Sequence, residues 1–379
     1  MNARPRTFRR IAVTGIALAA LAVGVGAPAA LASTGGSGGS GTSGTSGTSG
    51  GSDGSAVSAV QARQAAVRDP AALRALLASL PDGVSAGALA RLSGEGLRTP
   101  WTGTGGPVAA DAEVPIGSVT KLFTNTLVLR LVAEHRIEID APVRRHLPDL
   151  IPEAYADVTV RQLMDHTADL PMVAGDAADP RTIVLETFAA DEATRPGRRP
   201  APGTAQQYNG MNTFVAGLLV ERISGRTYVE ELQRRIVRPL GLRQTRMSTD
   251  PRMARYWAEG GLVSTAADLD RFMAALLGGR LLPPAQQRHL YEVPDVPNTK
   301  GNTCLSPRAC FGAAGLMRHE TAGTVVWGKT GSGPGWSTGV FATEQAGRRL
   351  VYAHNPKPGA AREDQIKRVV DFVDAGFAG

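Results

Sequence analysis

Cysteine, lysine and aromatic residues are all scarce in this chain. Its 379 residues include two cysteines, six histidines and 5% aromatic residues, and only five of its 41 basic residues are lysines. So few cysteines exclude a small scaffold held together by several disulfides, and the scattered histidines offer no metal site. With 42% hydrophobic and 20% charged residues, the composition is typical of a globular body of one large domain or two.

The excess of positive charge is confined to one end of the chain. Arg4, Arg6, Arg9 and Arg10 supply four units of the formal net charge of +7. The remaining residues are much closer to neutrality. This distribution excludes a broad basic face for nucleic acid, and we expect no nucleic-acid partner.

The N-terminus has the pattern of an export signal. After Arg9-Arg10, an apolar, alanine-rich stretch runs from residue 11 to about residue 25 and is followed by Ala30-Leu31-Ala32. This order predicts a signal peptide over residues 1–32, and the paired arginines also fit the twin-arginine export route. A membrane anchor is the alternative, but it needs about 20 strongly apolar residues, and glycine and proline interrupt this segment. We expect a secreted protein with no membrane span after cleavage.

Residues 33–55 are almost entirely Gly, Ser and Thr, and Gly-Thr-Ser occurs three times in succession from residue 41. Such a composition cannot be buried and predicts a flexible linker. The linker would separate a globular body over residues 56–379 from whatever the mature N-terminus contacts; a tolerated expansion of the leader is the alternative.

The two cysteines, Cys304 and Cys310, lie close together in the sequence. In an exported protein this spacing predicts a small surface disulfide loop. A zinc site would need further ligands nearby, and the sequence provides none.

The hydrophobic pattern of the globular body changes along its length. Apolar residues at helical spacing predict five helices, at Leu122–Glu134, Thr213–Ile223, Tyr228–Val237, Ala266–Leu277 and Ile366–Phe377. Short β-branched or alternating runs predict strands at Gly87–Leu92, Thr324–Gly328, Gly339–Ala342 and Arg349–Ala353. The pattern predicts a sheet completed late in the chain, after a helical insertion.

A serine lies three residues before a lysine at the start of an apolar helix, in Gly117-Ser118-Val119-Thr120-Lys121. This spacing puts the Lys121 amine one turn from the Ser118 hydroxyl. A serine becomes a good nucleophile when a base takes its proton, and lysine serves when burial or a neighbouring cation lowers its pKa. The same pattern also arises from a helix N-cap followed by a solvated lysine, but lysine is rare in this chain and arginine cannot release its proton.

Two further segments carry candidate site residues. Lys329, Thr330, Gly331 and Ser332 follow a strand-like run, and a strand edge of small residues can bind an extended peptide while Lys329 supplies a cation. The residues from Gly323 to Thr330 also fit the phosphate-loop pattern, but they read as a strand with no helix after it. Tyr208 precedes a predicted helix, and beside a Ser-Lys pair a tyrosine can relay a proton; a packing tyrosine on a loop is the alternative.

Taken together, these motifs resemble those of the penicillin-recognising serine hydrolases, in the branch of class C β-lactamases and actinomycete D-alanyl-D-alanine carboxypeptidases. The resemblance covers about residues 85–375. It rests on the segments Ile116–Lys121, Val160–Thr167, Phe214–Gly225, Gly260–Leu269 and Trp327–Gly331. It implies an α/β (α+β) fold, with a five-stranded antiparallel sheet flanked by helices. An all-helical subdomain at about 133–254 would lie beside the sheet, with the site in the cleft between them.

The resemblance also assigns roles to individual residues. Ser118 would be the acylated nucleophile, Lys121 its base and Tyr208 the proton relay to the leaving amine. Residues 329–331 would form the strand that receives the substrate. The backbone N–H groups of Ser118 and Ser332 would form an oxyanion hole. The family uses no catalytic histidine at the position of His166, so that residue is expected to be structural.

Two positions depart from the family pattern. The Tyr-x-Asn motif ends in an asparagine that holds the substrate amide, but this chain has Gly210 there. Asn209 or Asn212 would have to replace it, and esterase-like members of the branch also lose that asparagine. Many carboxypeptidases of the branch have histidine where this chain has Lys329, and lysine is the usual choice of class C β-lactamases.

The leading hypothesis is a secreted, monomeric and cofactor-independent serine D,D-carboxypeptidase, in contact with the cell wall. It would act on peptides ending in D-Ala-D-Ala and be acylated by β-lactams. Lys329 keeps a β-lactamase open as an alternative, and Gly210 keeps open an esterase acting on small acyl esters. A β-lactam or wall-fragment binder that is acylated without turnover is the remaining alternative.

Overall fold

The computed structural model describes residues 69–175, 177–299 and 306–378. The predicted signal peptide, the linker and residues 56–68 lie outside these residues, and so does Cys304. Cys310 is buried and disulfide-bonded, and its predicted pairing with Cys304 stays a prediction. No helix in the described part of the chain is long and apolar enough to span a membrane.

The main sheet has six antiparallel strands, in the order β2-β1-β9-β8-β7-β6. The strands, numbered along the chain, are β1 (Ser85–Gly94), β2 (Trp101–Gly105), β3 (Val114–Pro115), β4 (Arg246–Met247), β5 (Leu262–Ser264), β6 (Met317–Thr321), β7 (Thr324–Gly333), β8 (Trp336–Thr343) and β9 (Arg348–Pro356). Strands β3, β5 and β4 form a second, small sheet. The predicted fold class is confirmed, but the predicted count of five strands in the main sheet was wrong. All four strands predicted from the sequence are confirmed within β1, β7, β8 and β9.

Along the sequence, the helices come before, between and after these strands. They are α1 (Ala71–Ala78), α2 (Thr120–Ala133), α3 (Val160–Met164), α4 (Pro180–Thr194), α5 (Gly210–Ser224), α6 (Tyr228–Leu232), α7 (Arg238–Leu240), α8 (Pro251–Ala254), α9 (Trp257–Gly260), α10 (Ala266–Leu277), α11 (Pro284–Gln287) and α12 (Arg362–Phe377). The five predicted helices are confirmed, although the second half of the one predicted at Tyr228–Val237 is π-helical. The segment between α2 and β5 is mostly helical, with β4 as its one strand in the described residues.

Both faces of the main sheet are covered, because side chains alternate along each strand. On β1, Ala88 and Leu92 pack with α1 and α12 in one core cluster. Leu89, on the opposite face of the same strand, belongs to the larger cluster that includes α2 and α10. The sheet is therefore the middle layer between helices from the two ends of the chain and helices from its centre.

Strands β7 and β8 form a tight hairpin, with Gly333 paired to Trp336. Pro334 and Gly335 make the turn, and Gly335 has a φ of 72°. A proline followed by a residue with positive φ is the requirement of a type II turn. This turn holds β7 in register beside the loop that precedes α2.

Helix α2 runs through the interior, and nearly all of its residues are buried. Its Phe123 stacks on Phe272 of α10, with ring centroids 3.8 Å apart. A buried aromatic pair combines a large apolar area with a favourable ring geometry. This contact fixes the helix whose first turn holds Lys121 and which directly follows the turn containing Ser118.

Replacing Phe123 by alanine is expected to lower the free energy of unfolding by about 3–5 kcal/mol, because the change leaves a cavity between α2 and α10. Chemical denaturation monitored by circular dichroism measures the loss. Leu185→Ala is the control, since Leu185 is 43% exposed and its removal should change stability by less than about 0.5 kcal/mol. Equal effects of the two changes would contradict the role given to the aromatic stack.

Candidate active site

Ser118 and Lys121 lie side by side at the entry to α2. Gly117–Val119 form one turn of 3-10 helix that leads directly into α2. The Lys121 Nζ donates a hydrogen bond to Ser118 Oγ at 3.3 Å. The predicted proximity of the serine hydroxyl and the lysine amine, one turn apart, is therefore confirmed.

Lys121 is paired with a carboxylate that the sequence analysis did not select. Its Nζ donates to the main-chain oxygen of Glu259 and to Glu259 Oε1, both at 2.8 Å. Burial alone would lower the pKa of Lys121, but Glu259 and Tyr208 outweigh burial and leave that pKa raised. Glu259 therefore favours the ammonium form of Lys121, whereas the base role that the resemblance assigns to Lys121 requires the uncharged amine.

Tyr208 lies close to both lysines of the site. Lys121 Nζ is 5.1 Å from the centroid of its ring and Lys329 Nζ is 4.8 Å from it. Burial raises the pKa of Tyr208, but the two ammonium groups and a hydrogen bond with Ser118 outweigh burial and leave that pKa lowered. Among the groups around Ser118, the phenol is thus shifted toward its proton-accepting form.

Strand β7 brings Lys329 and Thr330 to the same place. Lys329 is buried, its Nζ donates to the main-chain oxygen of Thr330 at 2.8 Å, and its pKa is lowered, first by burial and then by Lys121. Thr330 is 5% exposed, and its Oγ1 has no hydrogen-bond partner among the described residues. A buried hydroxyl without a partner is costly, so this oxygen is available to bond a ligand group or a water.

Two glycines let the backbones of β7 and the Ser118 turn approach each other. A Cβ on Gly117 would lie 2.1 Å from the Ser332 main-chain oxygen, and one on Gly331 would lie 2.0 Å from that of Ile116. Gly117 also has a φ of 46°, which favours glycine. The backbones of Ser118 and Ser332, the two predicted oxyanion-hole donors, are therefore neighbours.

The predicted substrate contact of Asn209 is wrong. Its Oδ1 accepts from the Met211 main-chain N–H as the N-cap of α5, and its Nδ2 donates to the main-chain oxygens of Leu170 and Pro171. The residue is 1% exposed. Both of its side-chain N–H groups and its side-chain oxygen bond within the fold, and the buried side chain presents none of them to a substrate.

Asn212 is also buried, which does not support the predicted substrate contact, although its Oδ1 has no hydrogen-bond partner among the described residues. It is 1% exposed and its Nδ2 bonds to His166 Nδ1 at 3.1 Å. His166 also accepts from the Asn209 main-chain N–H, and its ring lies 4.7 Å from that of Tyr208. Burial, and then the two nearby lysines, hold the pKa of His166 well below its usual range. A neutral His166 that supports Tyr208 agrees with the structural role expected for it.

Glu259 is the functional candidate that sequence reasoning missed. It directly precedes the Gly260–Leu269 segment on which the resemblance partly rests. Only an indirect signal could have indicated Glu259. Gly210 leaves space in the site, and an acidic residue next to a motif is a candidate to fill that space.

Comparison with known proteins agrees with this geometry. The family model described as Beta-lactamase matches residues 73–374. The chain belongs to the beta-lactamase family. It is a serine hydrolase of this family, and its fold is beta-lactamase-like.

Members of the family with several different names are similar to the chain. Penicillin-binding protein 4 of Amycolatopsis lactamdurans is 27% identical over 62% of this chain and 65% of its own length. Esterase EstB of Burkholderia gladioli is 35% identical over 37% of this chain and 39% of its own length. The chain thus spans less than two thirds of either relative.

A solved structure covers more of the chain. The D-stereospecific amidohydrolase from Streptomyces sp. superposes with a TM-score of 0.68 at 27% identity, over 82% of this chain and 99% of its own. The shared fold therefore extends over nearly all of the described residues.

Replacing Lys329 by methionine should raise the pKa of Tyr208, because one of the two ammonium groups that favour the phenolate is lost. The measurement is the tyrosinate absorbance as pH rises, with the signal of Tyr208 obtained by subtracting a Tyr208→Phe variant. Lys367→Met, which removes an exposed lysine far along the chain, is the control and should leave the titration unchanged. A Tyr208 signal that appears at the same or lower pH in Lys329→Met would contradict the assignment.

Proposed function

We propose that this chain is a serine D,D-carboxypeptidase, which cleaves peptides ending in D-alanyl-D-alanine through an acyl-enzyme on Ser118. One observation carries the proposal. The unpartnered Thr330 hydroxyl lies next to the buried Lys329 on the strand beside Ser118. A hydroxyl and an ammonium group are the partners that a terminal carboxylate requires.

The charge states of the site suggest how the proton moves. Lys121 remains an ammonium because of Glu259, so the proton of Ser118 passes to Tyr208. The serine oxygen then attacks the scissile carbonyl, and the N–H groups of Ser118 and Ser332 stabilise the oxyanion. Tyr208 gives its proton to the departing D-alanine amine. Lys121 thus orients Ser118 and stabilises the phenolate, a different part from the base predicted from the sequence.

Water completes the cycle. It attacks the ester on Ser118 while Tyr208 accepts the proton of the water, and the same oxyanion forms and collapses. The peptide acid leaves, and Ser118 recovers its proton from Tyr208. Each of these steps uses residues of the chain, and none requires a cofactor.

An esterase is the second candidate, because Asn209 and Asn212 are internal and the described part of the site presents no asparagine to a peptide amide. The similarity to esterase EstB also supports it. Three assays distinguish the candidates: release of D-alanine from a D-Ala-D-Ala peptide, steady hydrolysis of a chromogenic cephalosporin, and turnover of a short p-nitrophenyl ester. Fast ester turnover without release of D-alanine would favour the esterase. Export and contact with the cell wall remain part of the proposal.

Ser118→Ala should abolish both the release of D-alanine and covalent labelling by a fluorescent penicillin, because no other residue is proposed to carry the acyl group. Labelling is read by gel fluorescence and by intact mass. Ser79→Ala, which alters an exposed serine, serves as the control and should be labelled normally. A labelled Ser118→Ala variant would refute the nucleophile assignment.

Thr330→Val keeps the shape of the side chain and removes its hydroxyl. We expect kcat/KM for a D-Ala-D-Ala peptide to fall roughly ten- to a hundredfold, since a hydrogen bond to a charged carboxylate is lost. Turnover of a p-nitrophenyl ester without a carboxylate should change little. An equal loss on both substrates would show that Thr330 does not recognise the carboxylate.

A further inference from the structure

The carboxylate of Glu259 occupies the space that a side chain at position 210 would need. A Cβ on Gly210 would lie 2.8 Å from Glu259 Oε1 and 3.1 Å from Glu259 Cδ. Any side chain at position 210 would therefore displace the carboxylate. The absence of a side chain on Gly210 is what allows Glu259 to reach Lys121.

The carboxylate of Glu259 is close to the reacting serine. Its Oε1 is 2.8 Å from Lys121 Nζ, which is 3.3 Å from Ser118 Oγ, so Oε1 lies within about 6 Å of the nucleophile. The side chain of Glu259 keeps 19% of its surface exposed, whereas that of Lys121 has none. The carboxylate is thus positioned to meet a substrate as well as Lys121.

The Glu259 carboxylate offers a substrate different hydrogen-bonding groups from those of an asparagine amide. An ionised carboxylate only accepts hydrogen bonds, whereas an asparagine both donates and accepts. Asn209 and Asn212 are buried and bonded within the fold. A substrate group that faces Glu259 must therefore be a donor, and a positively charged donor gains most.

We infer that Glu259 is a specificity-determining residue that binds a free α-ammonium group on the acyl donor. This inference rests on the proposed function and narrows it to zwitterionic D,D-dipeptides. The carboxylate end of the dipeptide binds Lys329 and Thr330 on β7, and its ammonium end binds Glu259 on α9.

The reach of the substrate fits this arrangement. In an amino-acyl donor the α-nitrogen is two bonds from the carbonyl carbon that Ser118 attacks, so it remains within a few ångströms of Ser118 Oγ. Acetylation of that nitrogen removes its charge and leaves a single neutral N–H donor, so the charge-assisted hydrogen bond to Glu259 is lost. The donor with a free amine is therefore the better substrate.

The experiment compares D-alanyl-D-alanine with N-acetyl-D-alanyl-D-alanine, measuring release of D-alanine by the full mature chain. We expect kcat/KM to be at least tenfold higher for the free dipeptide. The preference should decline as pH rises through about 8, where an α-amino group loses its proton. The ratio of the two substrates at each pH cancels changes in the enzyme that affect both equally.

Glu259→Gln tests the residue itself. This variant also disturbs Lys121 and should slow both reactions, so the decisive readout is again the ratio. A specificity role predicts at least a tenfold fall in the preference for the free dipeptide, chiefly through KM. A role confined to positioning Lys121 would leave the ratio unchanged and would overturn the inference. Glu134→Gln is the matched control, because Glu134 is an ion-paired glutamate whose partner is Arg235, and the ratio should not change.

The ammonium site at Glu259 and the proposed carboxypeptidase activity can be refuted separately. If the wild-type chain cleaves the acetylated dipeptide as well as or better than the free one, the ammonium site is refuted and the carboxypeptidase stands. If it releases D-alanine from neither dipeptide nor from a longer D-Ala-D-Ala peptide, the carboxypeptidase is refuted and the inference falls with it. The wild-type comparison needs no variant, so a poorly folded Glu259→Gln protein would not prevent the test.

Discussion

The ion pair between Lys121 and Glu259 determines the chemistry available around Ser118. A lysine whose side chain has no exposed surface would ordinarily lose its proton, because a buried charge without a partner is strongly unfavourable. The carboxylate and the main-chain oxygen of Glu259 compensate for the lost hydration. With the ammonium stabilised, the mechanism that we propose passes the proton of Ser118 to another acceptor. Tyr208 fits that role because Lys121 and Lys329 together stabilise its phenolate.

The fold supplies the rigidity that this arrangement requires. Ser118 lies in the turn that leads into a buried helix, while Lys329 and Thr330, which we propose bind the substrate, lie on β7, the strand next to the edge strand β6. These two elements contact each other through backbone, since Gly117 and Gly331 leave no side chain between them. Backbone donors held by a helix and a sheet do not have to reorganise as charge develops on the substrate oxygen. Tyr208 is placed with comparable precision, because its neighbour Asn209 caps α5 and bonds to His166.

Periodicity in the sequence was sufficient for β1, β7, β8 and β9 and for most of the long helices, but it missed the fifteen-residue α4 and failed at the edges of the sheet. Strand β2 reads Trp-Thr-Gly-Thr-Gly and β6 reads Met-Arg-His-Glu-Thr, and neither has the apolar run of a buried strand. They become strands because β1 and β7 offer them a hydrogen-bonding partner. Polar and charged residues are common on edge strands, where they discourage pairing with another chain. Sequence alone does not show which polar segment will find such a partner.

The residues of the site also differ in how far they could be predicted. Some follow from a local sequence pattern, and others depend on tertiary contacts. Ser118 and Lys121 were predictable because helix geometry places them one turn apart. An asparagine just before a helix is a favoured N-cap, and that local rule would have assigned Asn209 to the fold, although Asn209 was predicted to bind substrate. Glu259 had no such rule, since its importance depends on a glycine from a distant segment leaving the space empty. A glycine at a motif position shows that space is available; only the folded chain shows that the space is filled, and that its occupant carries a negative charge.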